Sequence, residues 1–329
     1  MALRQEGVRD VIALSDGTAV SCSGDRAARQ WDSATGQLLR SFDCGDGGAW
    51  ALADCGKLLA ASSYTDGTIL LFDPLAPSCV QRLIGHSSPV MSLAMAQSQQ
   101  RLASGSYKEI KIWELRDGRG TIGWNSGFSP RSRTTPKKTI SRFSACTCHG
   151  DWISSLASLP DGCWASAALD GTVKLWSRGG CALRSFRGHT DWVSAVVPMQ
   201  IAQCECNYAP STRVWQAEAS SASSGCADGI MLATAGFDGR IYVLDAASGE
   251  ACLEFANHGC EVLALAALPG GGIVSAAYDA VVREWDAGNG SLRRRLVGHK
   301  AAVNCLAVLP MRTGLVSGAA DGTIKFWAV

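Results

Sequence analysis

Polar and apolar positions alternate in short runs along this chain, and one such run keeps returning. Asp170-Gly171-Thr172-Val173-Lys174-Leu175-Trp176 comes back nearly intact as Asp321-Gly322-Thr323-Ile324-Lys325-Phe326-Trp327. It returns again as Asp66-Gly67-Thr68-Ile69-Leu70-Leu71-Phe72. Asp-Gly is a turn signal, and the β-branched, aromatic-ended run after it predicts a strand. One copy would make a hairpin, whereas seven related copies make a repeat architecture. Aligned on the residue that closes the run, the copies end at Trp31, Phe72, Trp113, Trp176, Leu244, Trp285 and Trp327. The intervals are 41, 41, 63, 68, 41 and 42 residues. Four of them match a blade period of about 40–45 residues, and the two long ones hold insertions.

Other positions keep the same step. Ser21, Ser62, Ser166, Thr234, Ser275 and Ser317 each stand four residues ahead of Asp25, Asp66, Asp170, Asp238, Asp279 and Asp321. Ser104 holds that slot in the third repeat, where Ser106-Tyr107-Lys108-Glu109 lacks the Asp. Upstream comes Gly-His or a variant, at His86, His149, His189, His258 and His299, which are all five histidines of the chain.

This register resembles the WD-repeat family over essentially the whole chain. The resemblance implies an all-β fold, a seven-bladed propeller of four-stranded antiparallel sheets around a channel. It also implies that the His, Ser/Thr, Asp and Trp of a repeat form one hydrogen-bonded network. Three repeats carry the full set: His149, Ser166, Asp170 and Trp176; His258, Ser275, Asp279 and Trp285; His299, Ser317, Asp321 and Trp327. Repeats one and two lack the His, repeat three the Asp and repeat five the Trp, so those four blades are expected to be tied less rigidly.

As a single domain over 1–329, the blades fall at about 7–42, 43–83, 84–145, 146–186, 187–255, 256–296 and 297–329. Ala2-Leu3-Arg4 matches Ala182-Leu183-Arg184 of an outer strand, so residues 2–6 are expected to complete the last blade, hiding a sheet edge. In the family's blade, the His loop and the Asp turn lie on one face, the top. The two insertions, 116–137 and 198–229, then leave from the opposite face. The first is basic: between Arg116 and Arg142 seven cations, among them Arg131, Arg133, Lys137 and Lys138, face Asp117 alone, a net +6. The second is Ser/Ala-rich and is expected to be flexible.

Composition narrows the function more than it names it. Net charge is +1, so no global field recruits nucleic acid or an anionic membrane. No apolar run approaches the roughly 18 residues a membrane helix needs. The 14 cysteines are scattered rather than framed in a small secreted domain, which favours reduced thiols and a cytoplasmic location, with the nucleus as alternative. Cys146-x-Cys148-His149 and Cys204-x-Cys206 resemble halves of a zinc site, but the topology sets them on opposite faces, so no metal or cofactor is expected. All five histidines occupy one structural slot, which leaves no free base for a hydrolase triad, and no phosphate-loop or dinucleotide motif appears.

The chain is therefore expected to be a monomeric, non-catalytic scaffold that binds other proteins or peptides. Nucleic acid or the ribosome, reached through the basic loop, is the alternative partner, and a propeller enzyme the second alternative. On the top face Trp152 and Trp192 follow histidines by three residues, and Phe237 and Tyr278 precede turn Asp residues. Aromatics at loop ends around a channel are candidate interface anchors.

Overall fold

Each Asp turn does close a hairpin. The computed structural model describes residues 7–76, 78–96, 100–115, 149–199, 216–219, 229–256, 258–309 and 314–328, and every regular element among them is a strand. In blade four, Gly171 N donates to Ala168 O at 3.2 Å, so the turn spans Ala168 to Gly171. Gly171 lies at φ +75°, the left-handed conformation that a type I turn with its bulge requires. Asp170 caps the turn by accepting from Thr172 N at 3.0 Å.

The strands group into seven sheets. Blade one holds β1 (Val8–Ala13), β2 (Thr18–Ser23), β3 (Ala27–Asp32) and β4 (Leu38–Asp43). Blade two holds β5 (Ala49–Asp54), β6 (Leu59–Ser63), β7 (Ile69–Phe72) and β8 (Cys79–Leu83). Blade three has β9 (Ser92–Ala96), β10 (Arg101–Gly105) and β11 (Ile110–Glu114) among the described residues. Blade four has β12 (Ile153–Ser158), β13 (Trp164–Ala168), β14 (Thr172–Trp176), β15 (Ala182–Arg187) and, as a fifth strand, β17 (Gln216–Ala219). Blade five holds β16 (Val193–Met199), β18 (Met231–Gly236), β19 (Arg240–Asp245) and β20 (Ala251–Ala256). Blade six holds β21 (Val262–Leu268), β22 (Gly272–Ala277), β23 (Val281–Asp286) and β24 (Leu292–Val297). Blade seven holds β25 (Val303–Leu309), β26 (Gly314–Ala319) and β27 (Ile324–Ala328). All pairings are antiparallel.

The innermost strands β1, β5, β9, β12, β16, β21 and β25 each touch the next, and β25 returns to β1, so the ring is closed. The second strand of a blade is sandwiched between its neighbours. That position selects small and apolar residues, and Trp164-Ala165-Ser166-Ala167-Ala168 is buried throughout. The outermost strands alternate with solvent, as Leu292–Val297 does. Six innermost strands carry a β-bulge. In four of them the bulged residue reaches the following blade, as a re-aimed side chain should. Ser154 donates to Val193 O and Ser194 to Val262 O, both at 2.5 Å, and Asn304 Nδ2 donates to Val8 O at 2.7 Å. Arg9, in the same slot of blade one, lies over the Trp50 ring of blade two.

The second insertion is not loop throughout. Pro198 and Met199 belong to β16, paired with Leu232 and Met231. Gln216–Ala219 folds back from blade five onto the outer edge of blade four, pairing with Arg184–Arg187. The basic insertion at 116–137, with Arg131, Arg133 and Lys137, lies outside the described residues, as do Lys138 and the strand expected at 2–6. The thiol expectation needs one correction. Cys22, Cys44, Cys55, Cys79, Cys181, Cys260 and Cys305 are free thiols, but Cys163 is disulfide-bonded.

Candidate functional site: the aromatic rim of the top face

The histidines are committed to the walls of the ring. In blade four His149 Nε2 lies 2.6 Å from Ser166 Oγ, and Trp176 Nε1 donates to the same oxygen at 2.8 Å. His149 Nδ1 lies 3.1 Å from Asp170 Oδ2, which also accepts from Gly150 N. Burial raises the cost of charging Asp170, but the His149 bond and charge, with Thr172 and Gly150, outweigh it and hold the carboxyl far below its usual range. Burial pushes His149 down, so it is neutral near pH 7. A neutral ring facing a carboxylate carries its proton on Nδ1 and accepts from Ser166 at Nε2.

The other complete set is wired differently in blade six. His258 Nε2 is 2.5 Å from Ser275 Oγ, and Trp285 Nε1 donates to that oxygen at 2.7 Å. Between His258 and Asp279, however, stands Arg283. Its guanidinium donates to His258 Nδ1 at 2.7 Å and to Asp279 Oδ2 at 2.6 Å. The direct His–Asp bond expected from the sequence is absent there, because a cation bridges the two acceptors. Burial and then the Arg283 charge push His258 down to about 4. In blade seven His299 pairs with Ser317 and Trp327 as expected, but its Nδ1 bonds Thr323 Oγ1 at 3.0 Å, and Asp321 stands off at 3.5 Å.

The blades with incomplete motifs are not uniformly looser. In blade three Glu109 takes the place of the missing Asp, 3.0 Å from His86 Nδ1, while Ser104 and Trp113 complete the chain. The longer Glu side chain makes up for the shortened turn, which corrects the expectation for that blade. Blade five replaces the Trp by buried Leu244, yet His189 still reaches Asp238 and Thr234 and packs edge-on against Tyr242. Blade one, with no His, ties Asp25 to Arg29 and Trp31 to Ser21.

His258 Nδ1, Cys260 Sγ and an Asp279 oxygen lie within 4.8 Å of one another. The Arg283 guanidinium already bonds two of the three, so this cluster holds a protein cation and lacks the ligand count of a zinc site.

Aromatic side chains stand above these networks, at the ends of the same turns. Trp192 is 46% exposed and packs on Phe237 with ring centroids 5.2 Å apart. Phe237 N donates to Trp192 O at 2.8 Å, which staples the two loops of blade five. Beneath them Gly236 is confined, since a Cβ there would meet Trp192 O at 2.7 Å and His189 Nδ1 at 2.9 Å. The ridge thus rests directly on the His189–Asp238 network. Tyr278 is 65% exposed, with its N bonded to Glu261 O.

Trp152 is less available, because it packs across the blade boundary on Tyr107 at 5.2 Å and forms a backbone bridge with it. Sequence reasoning missed Tyr107, and it missed the stacked pair Trp50 and Tyr64, 4.8 Å apart in blade two. The signal was present, since Tyr64 and Tyr107 sit in the same turn as Phe237 and Tyr278. Grooves flank the blade-five ridge. One, toward blade four, includes Asp170, Arg187, Asp191 and Trp192, and the other, toward blade six, includes Phe237, Arg240, Cys260 and Glu261.

Residues 77–114, 139–177 and 290–328 match the family described as WD domain, G-beta repeat. The nuclear distribution protein PAC1 of Coccidioides posadasii (strain C735) is 24% identical over 99% of this chain and 75% of its own length. Apoptotic protease-activating factor 1 of Rattus norvegicus is 29% identical over 53% of this chain, but that alignment covers only 13% of the relative. The small ribosomal subunit protein RACK1 of Caenorhabditis elegans is 26% identical over 43% of this chain and 54% of its own length. The WD40 β-propeller domain of Doa1 shares the fold, with a TM-score of 0.72 at 22% identity, covering 98% of this chain and 93% of that one. The chain is thus a seven-bladed β-propeller with WD repeats matched at residues 77–114, 139–177 and 290–328.

Proposed function

We propose that this propeller is a non-catalytic protein-interaction scaffold whose working surface is the top face across blades two to six. One observation carries the reading. Tyr64, Tyr107, Trp192 and Tyr278 are 43–65% exposed, and all stand at the same end of the ring. Large aromatics left in solvent on rigid supports are the side chains that dominate protein interfaces. The histidines, which a Ser–His or Cys–His hydrolytic site would need, turn their side chains into the blade walls: His86, His149, His258 and His299 are buried and the His189 side chain is covered. The WD-repeat match adds a family tendency toward protein binding.

The test is co-purification with the intact tagged chain and with a Trp192→Ala, Tyr278→Ala double variant. Both side chains are exposed, so the variant is expected to keep the parent melting curve while losing stoichiometric protein partners. Retention of every partner by a folded double variant would sink the reading.

A further inference from the structure

Among the described residues the top face carries three aromatic pairs, and two of them are already served by a cation of this chain. Trp50, stacked on Tyr64, has the Arg9 guanidinium 4.5 Å from its ring centre. Tyr107, packed on Trp152, has the Lys108 ammonium 4.9 Å from its ring centre. The third pair, Trp192 and Phe237, has no such cation among the described residues.

The charges around that third pair are not symmetric. On the blade-four side Arg187 shares the groove with Asp191. On the blade-six side the basic residue, Arg240, is tied to Glu254, and Asp238 is tied to His189. Glu261, in the same groove, makes no ion pair among the described residues. The half-buried Phe237 ring shares its groove with Glu261, and an aromatic face beside a carboxylate with no ion pair among the described residues favours a positive ligand through both the ring quadrupole and the direct charge.

We propose that the Phe237 side of this ridge takes a basic side chain, arginine or lysine, from a docking segment of a partner protein, laid in the blade five–six groove with Glu261 as its counter-charge, while Trp192, which lines the other groove, backs the Phe237 ring. The proposal rests on the interaction-scaffold reading and adds the chemistry of the partner. Arg9 on Trp50 shows, within this molecule, the contact that the partner reproduces in blade five.

The experiment selects random phage-displayed peptides on the intact chain. Enriched peptides are then measured by fluorescence anisotropy beside versions carrying citrulline for arginine or acetyl-lysine for lysine. The enriched peptides are expected to contain a basic residue, and its neutralisation to weaken binding about tenfold. Glu261→Gln and Phe237→Ala should each weaken it comparably, and Asp191→Asn, on the far side of the ridge, should not.

A selection that yields no basic peptide overturns the proposal. Peptides that need Trp192 but ignore both citrulline and Glu261→Gln also overturn it, while leaving the scaffold reading in place. Peptides indifferent to Trp192→Ala count against both. Thermal melts of each variant keep loss of fold distinct from loss of binding.

Discussion

Blades four and six carry the same His, Ser, Asp and Trp at the same spacing, yet their histidines hold opposite protons. In blade four Asp170 faces His149 directly and fixes the proton on Nδ1, so Ser166 donates to Nε2. In blade six the Arg283 guanidinium donates to Nδ1, so His258 must donate from Nε2 to Ser275. The residue responsible lies four positions after the turn Asp, where blade four has Lys174. A guanidinium can bridge a ring nitrogen and a carboxylate at once, whereas an ammonium on a flexible stem acts as a single point charge. One motif therefore specifies a geometry, while a neighbouring side chain sets its electrostatics.

The largest expected effect comes from removing the shared hydroxyl. Ser275→Ala leaves two buried N–H donors without an acceptor, on Trp285 and His258. Ser166→Ala leaves one donor, on Trp176, and one ring acceptor on His149. Buried unpaired donors are the less tolerated kind. Ser275→Ala is expected to cost about 3–4 kcal/mol and Ser166→Ala about 2–3 kcal/mol, measured by urea unfolding. Equal costs would mean that the two histidines share a tautomer after all.

Acid should separate the blades next. Native His258 titrates near 4, against 6.5 for the free side chain. Its folded pKa is depressed, and it is a base, so the unfolded chain binds the proton first as pH falls. Stability is complete above about 6.5, declines through the window down to about 4, and loses up to about 3 kcal/mol there. His149 is displaced in the same direction by burial, but Asp170 opposes the shift, whereas Arg283 reinforces it for His258.

His258→Gln should therefore flatten the pH dependence of unfolding more than His149→Gln does. Imidazole ¹⁵N shifts followed over the same range would report which nitrogen carries each proton. Equal flattening by the two variants would break the comparison.

How much of this could be read from the chain follows the same division. The repeat run with its turn Asp, upstream Ser and closing aromatic was enough to count blades, because those residues make contacts within their own repeat. The contacts that change between blades were not legible. Arg283 as a wedge looks, in sequence, like Lys174 or Lys325 in the same slot, and only geometry shows which cation enters the network. Glu109 looked like a lost Asp because its turn is one residue shorter. On the rim, Trp192 and Tyr278 were found by position alone. The pairings of Tyr107 with Trp152, and of Arg9 with Trp50, cross blade boundaries that a repeat register does not describe. Gln216–Ala219 sits beside a low-complexity stretch with no strand signal of its own, and its pairing partner β15 comes from the previous blade.

The smallest effect tests the turn itself. Gly171 and Ala280 hold the same place after the turn Asp, at φ +75° and +65°. Only glycine adopts that region without crowding its own backbone, and an alanine there costs about 1 kcal/mol. Ala280→Gly relieves the crowding but loosens the unfolded chain, so a net gain of about 0.5 kcal/mol is expected. Gly171→Ala should lose about 1 kcal/mol, and the loss will come from the backbone rather than from space, because its Cβ would meet Asp191 O only at 3.4 Å. A loss on Ala280→Gly would show that the Arg283 bridge, which grips Asp279 beside it, already dictates that turn so firmly that alanine no longer strains it.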